Sequence, residues 1–332
     1  MKLFNGRVFG ALLVCGTLVA LPLSQKLRGA SSLTKGQFTF SSFSISGTPP
    51  EALGSLAVEQ ISDLGEIAGY QVFTSATSDG YIRKPNGSVT KLNDPAATSG
   101  FTRANGLNVW GTVVGYYLDV AHNQYSGFFY NDGRFKTYNI PGLSAFSATV
   151  IEGINDFGAF CGYYQPAPAY NTVPFVNWFG NIDTNFPIPG STFTECTAVT
   201  EEGDTAGTWV DASNVNHGFI RDWSGNVTIV DVPGAAFAGT SVIGLNDFGW
   251  ASGHFWDSSN HEHGFLRSPH GHFYQIDVPN ADKTKIGGGT AGGGVNNDNV
   301  VVGHYDPVGG GPELGYIAHP GREINDDEED DK

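Results

Sequence analysis

Gly244-Leu245-Asn246-Asp247-Phe248-Gly249-Trp250-Ala251-Ser252-Gly253 reads as a β-hairpin: a small-residue strand, a tight Asn-Asp-x-Gly turn, and a second strand that continues into aromatics. The same arrangement recurs along the chain. Aligned on the glycine that ends each copy (Gly69, Gly115, Gly162, Gly207, Gly253 and Gly303), the spacings are 46, 47, 45, 46 and 50 residues. Eight positions earlier stands an aliphatic residue: Ile61, Leu107, Ile154, Val199, Leu245 or Val295. One further back is small (Gly106, Gly153, Ala198, Gly244, Gly294), with Gln60 the exception. Four before the anchor stands Gly65, Gly111, Gly158, Gly203, Gly249 or Asn299. Glycine and asparagine best tolerate positive φ, so backbone geometry sets this slot.

A second hairpin follows in each unit. It opens on Gly-aromatic pairs such as Gly218-Phe219 and Gly264-Phe265, turns at pairs such as Asn86-Gly87 and Ser224-Gly225, and ends in an alternating strand, such as Val227 to Val232, that runs into a proline. Alternation is the period of a strand, and proline lacks the donor a continuing ladder needs. Four short antiparallel strands per unit of this length match a propeller blade.

The two ends of the repeat array are complementary. The last unit lacks a fourth strand, and an orphan strand at about 37–45 precedes the first. Pairing them closes a six-bladed β-propeller and removes two open sheet edges. An open β-repeat solenoid accommodates the same period but leaves the matching ends unexplained.

Residues 1–31 read as an export signal: Lys2 and Arg7, an apolar run from Val8 to Leu23, then Ser24-Gln25-Lys26, with cleavage near 24 or 31. Retention as an uncleaved anchor is the alternative. The propeller domain is expected over 37–321, and 322–332 as a disordered acidic tail. The expected location is extracellular or periplasmic, with no membrane association beyond the signal, and the expected state is a monomer. A net charge of −16 argues against nucleic acid as partner. No cofactor is expected, calcium on the acidic tail being the one alternative.

A residue locked to a repeat slot serves the fold; one that breaks its slot is a functional candidate. By that test Arg103, Arg134, Glu152, Glu195 and Asp204 are candidates for a channel mouth. Arg83, Arg221 and Arg267 share one slot and belong to the blades, as do His254 and His304, which replace tyrosines. His261, His263, His270 and His272 crowd the fifth unit; His261 and His263 fall on one side of a strand, the minimum geometry for a metal, although no cysteine supports it. Cys161 and Cys196 occupy small apolar slots in consecutive units and are expected as buried thiols, an inter-blade disulfide being the alternative. Trp178, Trp209, Trp223 and Trp256 are less regular, and exposed rings of this kind stack on sugars. No Gly-x-Ser-x-Gly elbow and no phosphate-cradling glycine loop occurs.

The run His217-Gly218-Phe219, Asp231-Val232-Pro233, Gly244-Leu245-Asn246-Asp247 and Gly253-His254-Phe255-Trp256-Asp257 resembles bacterial extracellular proteins of the HAF-repeat family. The resemblance covers Gln37 to about Gly321. It implies an exported repeat protein and brings no established activity. The sequence therefore points to a binding or interaction module for a glycan or a protein, with two alternatives: a propeller hydrolase or lyase using the channel mouth, or a structural envelope protein.

Overall fold

A computed structural model describes residues 33–45, 55–322 and 324, apart from the single positions 75, 170, 237 and 286. The expected export signal, and the tail beyond 324, lie outside these residues. Strand β1 (Leu33–Lys35) and strand β2 (Phe38–Phe43) precede the repeats. Blade 1 is β3 (Ser55–Ile61), β4 (Ile67–Thr74), β5 (Thr77–Arg83) and β6 (Val89–Leu92). Blade 2 is β7 (Thr102–Leu107), β8 (Val113–Asp119), β9 (Gln124–Asn131) and β10 (Arg134–Tyr138). Blade 3 is β11 (Ala148–Ile154), β12 (Phe160–Gln165), β13 (Val173–Trp178) and β14 (Asn181–Asp183). Blade 4 is β15 (Phe193–Val199), β16 (Thr205–Val210), β17 (Asn216–Arg221) and β18 (Val227–Val230). Blade 5 is β19 (Thr240–Leu245), β20 (Ala251–Trp256), β21 (Glu262–Arg267) and β22 (Phe273–Ile276). Blade 6 supplies only β23 (Thr290–Val295), β24 (Val301–Tyr305) and β25 (Leu314–Pro320).

Blade 6 is completed by β2, antiparallel to β25 in register from Phe38↔Pro320 to Phe43↔Gly315. The ring is therefore a closed six-bladed propeller. One element was not expected: β1 adds as a fifth strand to blade 5, parallel to β22, pairing Leu33 with Phe273. The N-terminal segment thus holds two consecutive blades instead of one.

Each blade is held by the aromatic of its Gly-aromatic pair. Tyr81, Phe128, Phe175, Phe219, Phe265 and Tyr316 are all fully buried, and each ring removed from water contributes roughly 1.5–3 kcal/mol. Arg83, Arg221 and Arg267 lie over Phe43, Phe186 and Phe273, which confirms their role in blade packing.

The inner hairpins carry the interblade bonds. Asn246 Oδ1 accepts from the Phe248 and Trp250 amides and so rigidifies its own turn. Its Nδ2 donates to the Asn296 carbonyl of the next blade, as Asn108 does to Asn155 and Asn155 to Thr200. In the next position, Asp63 accepts the Asn297 amide, Asp156 that of Val109, Asp247 that of Glu201, and Asn297 that of Asp247. Four of the six blade junctions thus carry the same side-chain-to-backbone bond. The turn glycine has φ between 73° at Gly111 and 101° at Gly203, and Asn299 substitutes at 59°.

Candidate functional site in the central channel

Each inner strand contains a β-bulge at the same place, with register shifts between Val58/Gln60, Ala104/Gly106, Ile151/Gly153, Cys196/Ala198, Val242/Gly244 and Gly292/Val295. A bulge leaves one residue out of the ladder and re-aims its side chain. Here the omitted residues of blades 1 to 5 are Glu59, Asn105, Glu152, Thr197 and Ile243, and all five border one cavity of about 170 Å³. The small residue that follows each bulge packs against the neighbouring blade. A Cβ on Gly153 would stand 2.6 Å from the Thr197 carbonyl, and one on Gly244 would stand 2.7 Å from Gly294 Cα. Tight approach at the small slot and projection at the bulge are two consequences of one backbone feature.

Gln60, the exception in the small slot, closes the channel. Its Nε2 reaches past blade 6 to the Ile243 carbonyl at 2.9 Å. It lies against Gly294, where any Cβ would collide with it. Gln60 borders both the 170 Å³ cavity and a smaller one of about 80 Å³ among the inner turns. The channel is therefore divided, with the larger chamber on the side away from the turns.

Three glutamates meet in that chamber: Glu59 on β3, Glu152 on β11 and Glu195 on β15. Burial pushes Glu195 from the ordinary 4.5 up to about 7, with the charge of Glu59 adding to the rise. Burial also raises Glu152 well above its ordinary value, reinforced by Glu195 and Glu59 and opposed by Arg103 and a bond from Asn105. Asn105 Nδ2 donates to Glu152 Oε2 at 2.7 Å. Glu59 is raised by burial as well, against the pull of His304, Arg103 and His254 and a bond with Tyr70. Arg103 lies over Tyr70 with its guanidinium carbon 4.3 Å from the ring centre, and donates to Tyr116 Oη at 3.1 Å. Burial raises Tyr70 and Tyr116, so both stay neutral phenols that can donate. The chamber thus combines buried carboxyls that are harder to ionise than usual, neutral phenol donors and aromatic faces, with the Arg103 guanidinium bonded to the phenols.

Arg103, Glu152 and Glu195 of the sequence candidates come together here. Arg134 does not: it opens β10, the outermost strand of blade 2, and is exposed. Asp204 does not either; it sits in the turn before β16 and accepts the Trp223 amide at 2.9 Å. Glu59 escaped the sequence reading although it shares a slot with Glu152, because the six residues there, Glu59, Asn105, Glu152, Thr197, Ile243 and Gly293, follow no common pattern. That variability inside an otherwise regular strand was the available signal.

The fifth-unit histidines are spread apart. His263 is bracketed by Asp277 at 2.7 Å and Asp257 at 3.4 Å, so both ring nitrogens face carboxylates. His261 lies 3.6 Å from Asp257, while His270 and His272 stand at the β21–β22 turn. Among the described residues no three His, Cys, Asp or Glu side chains gather as a metal site. Cys161 and Cys196 are free and buried in one small core cluster. Of the irregular tryptophans, Trp209 stacks on His217 at 4.4 Å and Trp256 packs edge-on to His254, whereas Trp223 is exposed. Among the described residues no helix is long and apolar enough to cross a membrane.

No family model and no curated protein matches the sequence. Among solved structures, a mutant of the Aleuria aurantia lectin bound to Fucα1-6GlcNAc is similar at a TM-score of 0.50 and 13% identity, covering 82% of this chain and 97% of that chain. AofleA from Arthrobotrys oligospora is similar at 0.47 and 14% identity, covering 88% and 97%. XC5397 from Xanthomonas campestris, described as a gluconolactonase, is similar at 0.47 and 10% identity, covering 89% and 99%. At 13% identity, the likeness to the lectin complex is one of fold alone.

Proposed function

We propose that this protein is a binding module whose ligand is a carbohydrate and whose site is the closed-off chamber of the channel. The observation that carries this reading is the convergence of Glu59, Asn105, Glu152 and Glu195, from four different blades, on one cavity, with Arg103 bonded to the phenols of Tyr70 and Tyr116 that line it. A channel that served only the fold would be lined by the repeat. A sugar ring offers apolar C–H faces to Tyr70 and Tyr116 and hydroxyls to the carboxylates and Asn105, which is the mix of apolar wall and few oriented polar groups a small-molecule site needs. A cavity of about 170 Å³ holds roughly five waters at ~30 Å³ each, the size of one sugar residue rather than a long chain. Support of a general kind comes from the lectin neighbour that shares the propeller fold.

Calorimetric titration with a panel of neutral and amino monosaccharides, L-fucose included, tests the reading. Binding is expected for at least one sugar, weakened at least about tenfold in Glu152→Gln. A panel without a binder, or unchanged affinity in that variant, refutes it.

One observation favours a hydrolase or lyase as the second reading. Glu195, raised by burial to about 7, and Glu152, raised by burial in the same chamber, form the kind of carboxyl pair in which one member serves as acid and the other as base. Turnover of a chromogenic glycoside, abolished in both Glu152→Gln and Glu195→Gln, would establish it. We further read the chain as an exported protein of the HAF-repeat type, on the strength of Lys2, Arg7 and the apolar run that follows. N-terminal sequencing of the protein recovered outside the cytoplasm tests that reading, and an intact Met1 there would overturn cleavage.

A further inference from the structure

The inner turns place a large apolar side chain where solvent, not the core, receives it. Leu64, Trp110, Phe157 and Phe248 occupy one slot of the repeat, at the tips of the turns of blades 1, 2, 3 and 5. They are between 60% exposed at Phe157 and 72% exposed at Trp110. Phe179 and Trp223 lie at outer turns of blades 3 and 4, on the same end of the propeller, at 74% and 75%. Repetition explains a buried aromatic; it does not explain an exposed one. Six large apolar side chains exposed at one end of the molecule mark an interaction surface.

Inside this apolar rim lies a carboxylate ring. Asp63, Asp156, Glu201 and Asp247 surround the 80 Å³ cavity above Gln60. Asn297 bridges two of them, its Nδ2 donating to Asp63 and to Asp247 at 2.8 Å each. Burial raises Asp156 and Glu201, and the mutual repulsion of the ring adds to both. Besides the carboxylates, the polar side chains that line this cavity are amides, and among the described residues that line it there is no lysine or arginine.

The choice of occupant follows from charge. A second copy docked face to face would set acid against acid. An anionic membrane would meet the same repulsion, on a chain already at −16. A protein segment with a lysine or arginine at its centre and apolar residues on either side satisfies both layers at once. We infer that the turn end of the propeller is a docking face for a protein partner that inserts one basic side chain into the Asp63–Asp247 ring and lays apolar side chains on Trp110, Phe157 and Phe248. This surface is independent of the channel chamber, from which Gln60 separates it.

The test is selection of binders to the full chain from a random heptapeptide library, followed by calorimetry on the enriched peptides. Enriched peptides are expected to carry a central lysine or arginine between apolar residues. Replacing that residue by norleucine is expected to weaken binding about tenfold or more at ~0.05 M salt, with much of the difference lost at ~0.5 M. Two variants separate the layers without disturbing the fold. Trp110→Ser with Phe248→Ser removes exposed rings. Asp63→Asn with Asp247→Asn removes charge while keeping the acceptor oxygen, as Asn297 does naturally in blade 6. Each pair is expected to lower peptide affinity at least about fivefold, with sugar binding in the chamber unchanged. Three results overturn the inference: no enrichment, enriched peptides that lack a basic residue, or equal binding by either variant pair. Capture of the wild-type chain by neutral phosphatidylcholine vesicles, abolished in Trp110→Ser with Phe248→Ser, also overturns it and reassigns the face to a membrane.

Discussion

Replacing Glu195 by glutamine separates what the chamber costs the fold from what it does. Glu195 ionises near 4.5 in the unfolded chain and near 7 in the folded one, because burial and the neighbouring Glu59 disfavour its charge. Below 4.5 both states hold the proton and nothing is lost. Between 4.5 and 7 the folded state holds a proton that the unfolded state has released, so stability falls as pH rises; above 7 the loss is complete and constant. A rise from 4.5 to about 7, at about 1.4 kcal/mol per pH unit, gives a penalty of about 3 kcal/mol at pH 8. Glutamine keeps the shape and carries no charge, so Glu195→Gln is expected to be about 3 kcal/mol more stable than the wild type at pH 8. At pH 4 the two should agree within about 0.5 kcal/mol. For a chain of this size the gain corresponds to roughly 6 °C in melting temperature. Urea or thermal unfolding of both proteins at the two pH values provides the measurement. A variant no more stable at pH 8 than at pH 4, or a destabilised one, refutes the assignment of Glu195 as a buried, disfavoured carboxylate.

Other parts of the molecule give equally direct expectations. Gly244→Ala should cost about 1–3 kcal/mol by urea unfolding, since its Cβ would meet the backbone of the next blade at Gly294 and Val295, which cannot yield without parting two blades. Asp63→Ala should cost about 1 kcal/mol through loss of the bond to the Asn297 amide, whereas Asp63→Asn should unfold at nearly the wild-type urea concentration. Titration with a thiol reagent should find Cys161 and Cys196 unreactive in the native protein and both reactive in denaturant; their absence from the denatured count would mean a disulfide instead. Despite its burial, Asp277 is held at about 2 by bonds from His263 and Lys283, so it stabilises the fold above pH 4 and ceases to do so as pH falls through 2. Asp277→Asn should therefore cost about 2 kcal/mol at pH 7 and nothing near pH 2, as read by acid unfolding.

The architecture was legible because two of its determinants are local. A positive-φ turn admits little besides Gly or Asn, and the approach of one inner strand to the next admits little besides Gly or Ala. The first constraint recurs six times and the second five, and so they appear as fixed columns, from Gly65 to Asn299 and from Gly106 to Gly294. Ring closure was legible because a missing strand and an orphan strand must pair or leave edges open. Strand β1 was not, since three residues, Leu33–Lys35, carry too little pattern to reveal that they add in parallel to blade 5. The site was legible only in part. Arg103, Glu152 and Glu195 stood out as charges that break the repeat, but so did Arg134 and Asp204, and only the ring geometry turns the first three toward the axis while Arg134 stays on an outermost strand and Asp204 in a turn.

Gln60 shows why departures from a repeat are informative even when they carry no charge. In five blades the slot after the bulge is glycine or alanine because two inner strands meet there. A glutamine can occupy the sixth only if it turns along the axis, and there its amide finds the Ile243 carbonyl two blades away. The substitution thereby converts a through-channel into two chambers with different chemistry: glutamates and phenols on one side, a ring of short carboxyl and amide side chains within an apolar rim on the other. The division has a consequence for any functional assay. Gln60→Gly would join the chambers while removing only the Gln60 side chain from their linings, so a small ligand of the larger chamber should exchange faster in that variant while a peptide on the turn face binds as before. Ligand exchange that is the same in both proteins would mean that the chamber fills and empties by way of the opposite face alone, and that Gln60 serves only to hold blades 1 and 5 in place.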